Sequence, residues 1–149
     1  MAKKVITKTS GKKARGKPRE RTISIDVKPD QDPPYVIRGS MVFENEKRPG
    51  FFINFKIVDD GGGYRFPTDK TKAFAAKAGN SGCPVQGAVW PEMEPRKVKD
   101  GNKTLRVRNF NKDPSKFRFT LFVTKTPNAA NPIFLPLDPG GDNMNGQYD

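Results

Sequence analysis

Phe117-Arg118-Phe119-Thr120-Leu121-Phe122-Val123-Thr124 is the stretch on which the fold turns. Apolar residues at 117, 119, 121 and 123 are separated by Arg118, Thr120, Phe122 and Thr124, a period of two. Side chains alternate between faces along a strand, so this spacing predicts a strand with one buried face. The same period recurs upstream. Ile23, Ile25 and Val27 alternate with Thr22, Ser24, Asp26 and Lys28, a second run spans Val36 to Phe43, and a third sets Phe51, Ile53, Phe55 and Ile57 on one face. Tyr64 and Phe66 follow Asp59-Asp60-Gly61-Gly62-Gly63, a turn whose glycines permit positive φ. Val98, the turn Asp100-Gly101-Asn102, then Leu105 and Val107 read as a hairpin, with Thr104, Arg106 and Arg108 facing away from the core. Ile133, Leu135 and Leu137 form a last strand, which Pro132 and Pro136 confine to a sheet edge. Residues 69–80 (DKTKAFAAKAGN) offer the one helix-like stretch, two turns ending at Gly79, or alternatively a short strand.

Six to eight short strands joined by turns rich in Gly, Pro, Asp and Asn predict an all-β fold. The expected form is a single antiparallel Greek-key, immunoglobulin-like sandwich. A five-stranded barrel of the oligonucleotide-binding type meets the same strand count and stays open beside it. A doubly wound α/β fold would need several helices that the pattern lacks.

Charge divides the chain. Over 149 residues there are 28 Lys and Arg against 16 Asp and Glu, a net charge of +12. Residues 1–21 hold nine of the bases and one acid, Glu20, and form an expected flexible, disordered basic arm without the apolar stretch of a secretory signal. Residues 22–137 form the expected sandwich domain, still basic, and 138–149 an acidic, Gly-rich tail expected to be mobile. No apolar run approaches the roughly 18 residues of a membrane span, so a cytoplasmic protein without membrane contact is expected. Cys83 is the single cysteine and cannot close an internal disulfide.

Chemistry narrows by subtraction, because the chain has no His. Ser/His/Asp and Cys/His sites are excluded, and one Cys without His supplies no tetrahedral zinc set or blue-copper site. No catalytic residue, metal or cofactor is therefore assigned, and a non-enzymatic protein is expected. The pairs Glu92/Glu94 and Asp59/Asp60 could in principle serve as acid and base, but most acids here occupy turn contexts such as Asp100-Gly101 and Asp113-Pro114. In such places the carboxylate bonds nearby backbone N–H groups. Gly11 to Lys17 fits a GxxxxGK phosphate loop, yet Pro18 follows where Ser or Thr should ligate Mg²⁺. Trp90 and Cys83 have plain structural uses, as core filling and as a small buried hydrophobe.

Two groups of cations point to nucleic acid. Lys12, Lys13, Arg15, Gly16, Lys17, Pro18 and Arg19 resemble an AT-hook, a family whose core is Arg-Gly-Arg-Pro. That resemblance implies an arm lying along a narrow A·T minor groove, with Lys17 standing where the second Arg belongs and lacking its planar fork. On the body, Arg106, Arg108 and Arg118, with Phe122, occupy outward registers of two strands and mix cations with a stackable ring. DNA or RNA is the expected partner of the arm; the alternatives are an arm that serves solubility alone, and a protein-interaction or assembly module that uses sandwich edges. The oligomeric state stays open.

The C-terminal half resembles a known family. Glu94-Pro95, the strand pair LRVRN and FRFTLFV, and the closing Leu137-Asp138-Pro139-Gly140-Gly141-Asp142-Asn143 look like the DP-EP family of bacterial proteins, over roughly residues 35–143. The resemblance implies a compact β-sandwich and adds no ligand or reaction. The basic arm is a departure from that family.

Overall fold

The computed structural model describes residues 20–39, 50–79, 82–110, 115–138 and 140–143. Among them run nine strands: β1 (Glu20–Val27), β2 (Tyr35–Arg38), β3 (Phe51–Asp59), β4 (Phe74–Ala78), β5 (Met93–Lys99), β6 (Thr104–Asn109), β7 (Ser115–Val123), β8 (Leu135–Leu137) and β9 (Gly140–Asn143). They fall into two sheets, ordered β2-β1-β3-β6-β5 and β4-β7-β8, with β9 also on β7. Inward residues of both sheets share one apolar cluster, and Phe55 of β3 meets Phe119 of β7 with ring centroids 5.3 Å apart. The chain is thus an all-β, two-layered sandwich rather than a barrel. Ile23, Ile25, Ile53, Phe55, Leu105, Val107, Phe119 and Leu121 are all at most 1 % exposed. Burying each such side chain stabilises the fold by about 1.5–3 kcal/mol before conformational entropy is charged against it.

Several expectations are corrected. The sandwich is not wholly antiparallel: β1 pairs parallel with β3. The cause is β2, which folds back antiparallel on β1, so that the chain starts β3 beside the beginning of β1 and runs the same way. The stretch 69–80 holds a single 3-10 turn, Lys70–Lys72, and then strand β4. Its first turn is stopped because Ala73, Phe74 and Ala76 are needed in the core, and Phe74 and Ala76 reach it only on a period of two. β1 opens at Glu20, inside the stretch assigned to the arm, because Glu20 and Arg21 continue the ladder against Phe52 and Ile53. At the other end, the stretch assigned to a mobile tail contains β9, whose Gly140 and Gly141 pair with Arg118 and Phe117. β8 and β9 keep one register along β7, since Leu137 opposes Leu121 and Gly140 opposes Arg118. Ile133 is 87 % exposed and stands outside β8. The run assigned from Val36 to Phe43 is strand through Arg38, and residues 40–43 lie outside the described ones.

The β5–β6 hairpin is as read, closing through positive φ at Asp100, Gly101 and Asn102. No helix among the described residues is long and apolar enough to cross a membrane.

Candidate nucleic-acid interface

The outer face of the five-stranded sheet collects the off-register side chains of its strands. β3 sends Phe52, Asn54, Lys56 and Val58 outward, β6 sends Thr104, Arg106 and Arg108, and β5 sends Glu94, Lys97 and Lys99. β1 and β2 add Glu20, Asp26 and Arg38. The face therefore carries six cations (Arg38, Lys56, Lys97, Lys99, Arg106, Arg108) against three carboxylates (Glu20, Asp26, Glu94).

Its centre is a cation–aromatic stack. The Arg106 guanidinium lies 3.9 Å from the centroid of the Phe52 ring, and that of Arg108 lies 5.0 Å from Phe52 and 5.3 Å from Phe110. The attraction of a guanidinium to a ring face is about 0.5–1 kcal/mol at exposed sites, enough to orient the fork without anchoring it. Arg106 also donates to Glu20 Oε1 at 2.9 Å, and Asn54 Nδ2 donates to the same oxygen at 2.9 Å. Asn54, and after it Arg106, hold the Glu20 carboxyl below the usual carboxylate range. Arg108 lies along the backbone of Gly50, which sits at φ 89°, so closely that a Cβ there would displace the guanidinium. The Arg108 Nε is buried without a hydrogen-bond partner among the described residues. A polar nitrogen in that state is costly unless something completes it.

The expected cation set is only partly brought together. Arg106 and Arg108 are neighbours on β6, but Arg118 stands on β7, in the facing sheet, and its outward register points to the opposite side of the sandwich. There Arg118 Nη2 donates to the Asp138 carbonyl at 3.3 Å. Phe122 is 7 % exposed, covered edge-on by Phe134 at 6.2 Å, so it offers no ring for stacking. Thr120 is covered too, donating to the Pro84 carbonyl at 2.8 Å. Thr104, in an outward register, is 3 % exposed. Lys12, Lys13, Arg15, Gly16, Lys17 and Arg19 lie outside the described residues.

Phe52, Asn54 and Lys56 were missed from sequence. The signal was present in FFINFKIV, whose inward set Phe51, Ile53, Phe55 and Ile57 leaves the alternate set for the outer face. What alternation could not supply was the pairing of Phe52 with Arg108 and Asn54 with Arg106.

The carboxylates are engaged locally. Asp60 accepts from the Gly62 and Gly63 N–H groups at 3.1 Å and from Arg65 at 3.0 Å, while Asp59 accepts from Lys28 at 2.8 Å and from the Gly61 N–H at 3.1 Å. Arg65 beside Asp60, and Lys28 beside Asp59, depress both groups rather than setting one as acid and the other as base. Cys83 donates its thiol to Asp138 at 2.6 Å, which raises its pKa and keeps the sulfur protonated. It is exposed, not the buried hydrophobe expected. No group of three or more acidic or thiol ligands converges among the described residues.

No family model matches the chain, and no curated protein matches it.

Proposed function

We propose that this is a non-enzymatic, cytoplasmic β-sandwich protein that binds nucleic acid through the outer face of its five-stranded sheet and the basic segment that leads into it. The observation that carries this reading is the Arg106–Phe52–Arg108 stack at the foot of that segment. Residues 1–19 hold eight bases and no acid, and the chain enters β1 at Glu20, the residue that bonds Arg106 and Asn54. The cations of the leading segment would draw in phosphates from a distance, and an oriented guanidinium and ring would meet bases or sugar at the sheet. The AT-hook-like string Lys12–Arg19 belongs to the same reading and favours A·T duplex over G·C duplex.

The test is fluorescence anisotropy with single-stranded, A·T-rich and G·C-rich probes across a salt series. Neutralising about five phosphates gives a log–log salt slope of roughly −4 to −5. Arg106→Gln and, separately, Arg15→Gln with Lys17→Gln and Arg19→Gln should each weaken binding, the triple variant lowering the slope by about three and the single one by about one. Affinity unchanged in both variants, or no binding at 50 mM salt, sinks the proposal.

At the level of fold we read an immunoglobulin-like Greek key. In its support, β1-β3-β6-β5 and β4-β7-β8 follow the A-B-E-D and C-F-G order of that architecture, with β2 added outside β1. The parallel β1–β3 pair departs from it. The DP-EP likeness enters only as agreement with a sandwich. An assembly role through sandwich edges is less favoured, because three edges are blunted: Pro136 in β8, Pro95 and a bulge in β5, and the Ala76 N–H of β4 already bonded to the Ala88 carbonyl at 3.3 Å.

A further inference from the structure

β4 and β5 are each an edge strand of their own sheet, and between them the sandwich leaves a cleft of about 700 Å³. Its floor is apolar: Phe74, Ala76 and Met93 are at most 5 % exposed, and the Trp90 ring, stacked on Phe117 at 5.5 Å, forms one wall. Val89, at 85 % exposure, is an apolar lip with nothing over it among the described residues. The rim carries Lys70, Lys72 and Arg96 against one carboxylate, Glu94, which Arg96 already engages at 2.8 Å. Lys70 reaches across to the Arg96 carbonyl at 3.2 Å, so the 3-10 turn and β5 are tied at the rim.

From this arrangement we propose a second binding site, one for a small amphiphilic anion: an acyl or aryl body on the apolar floor against the Trp90 wall and a single anionic head at the Lys72 and Arg96 rim. The volume suits a small molecule, since ligand pockets run to about 300–1,000 Å³. An extended peptide is disfavoured because strand addition needs free backbone groups on a neighbouring edge. Here the Ala76 N–H is taken by Ala88, and Pro95 has none to give. A cationic head would be repelled by this net positive rim, and an uncharged one would gain nothing from its charge. This site meets the nucleic-acid face only at Glu94 of β5 and does not depend on that reading.

Trp90 is the only tryptophan in the chain, so its emission reports the cleft directly. Decanoate titrated into the full chain below micellar concentrations should change that emission saturably. Decanol should bind at least tenfold more weakly and decyltrimethylammonium not at all. Lys72→Glu, on an exposed side chain, should weaken decanoate about tenfold, while Lys125→Glu, outside the cleft, should leave it unchanged. Unchanged affinity in Lys72→Glu overturns the proposal, as do a non-saturable response and equal binding of decanoate and the cationic amphiphile. Displacement of bound decanoate by a stoichiometric oligonucleotide would also overturn it, because the cleft would then be part of the nucleic-acid path.

Discussion

Replacing Gly61 by Ala and, separately, Gly101 by Ala divides backbone strain from steric exclusion in one comparison. Both glycines lie in the left-handed region, at φ 61° and 64°. Each alanine therefore meets a similar conformational penalty, about 1–2 kcal/mol for an L side chain in that region. A less free unfolded chain offsets roughly 0.4–1 kcal/mol of it. The surroundings differ. A Cβ on Gly101 has nothing within 4 Å, whereas on Gly61 it would stand 2.6 Å from the Val27 carbonyl oxygen and 2.9 Å from Pro29 Cδ. Neither of those atoms is the tip of a flexible side chain, so the turn after β3 must lift from the end of β1, and overpacking of this kind costs about 1–3 kcal/mol. The expected losses are about 0.5–1 kcal/mol for Gly101→Ala and about 2–4 kcal/mol for Gly61→Ala. In a chain of this size each kcal/mol lowers Tm by about 2–4 °C. Urea unfolding at pH 7, followed by far-UV circular dichroism, measures both. Equal losses, or a larger one at Gly101, would refute the seating of the Asp59–Gly63 turn against Val27.

Three further outcomes are expected. Phe119→Ala removes a ring in contact with Phe55, Phe74 and Phe117 at centroid distances of 5.3–5.9 Å, and should lose about 3–5 kcal/mol in the same unfolding assay; a loss below about 1.5 kcal/mol contradicts one core shared by both sheets. Glu20, Asp59, Asp60 and Asp69 all titrate below their ordinary values when folded. Their stabilisation is therefore complete above the unfolded carboxylate range near pH 4 and is lost as pH falls through the folded values. Stability should stay level from pH 7 to about 5 and drop below about 4, with a shallower acid limb in Asp60→Asn; stability that rises on acidification would contradict these partners. Glu20→Gln removes a carboxylate from the cationic face, so oligonucleotide affinity at low salt should rise roughly two- to fivefold. A decrease would mean that Glu20 positions Arg106 more than it repels phosphate.

Alternation along single strands was legible because burial of one face is a local property. FRFTLFV, FFINFKIV and LRVRN each place their core residues correctly, and Asp100-Gly101-Asn102 makes its hairpin because three successive residues take positive φ. The acids of Asp59-Asp60 close their own turn for the same local reason. Composition alone likewise removed His-dependent chemistry and separated a basic leading segment from the rest.

Pairing between strands is a different kind of fact, set by which distant segments bury their faces together, and no short window contains it. That is why Arg106 and Arg118, equivalent in sequence as outward cations, end on opposite sides of the molecule, and why Phe122 is sealed by Phe134 while Phe52 receives two guanidinium groups. It is also why β1 runs parallel to β3, and why two sheet edges leave a cleft over Trp90. The sequence by itself determined which face of each strand avoids water; only the tertiary structure decided which strands lie side by side, because that choice is made by the summed burial of residues far apart in the chain.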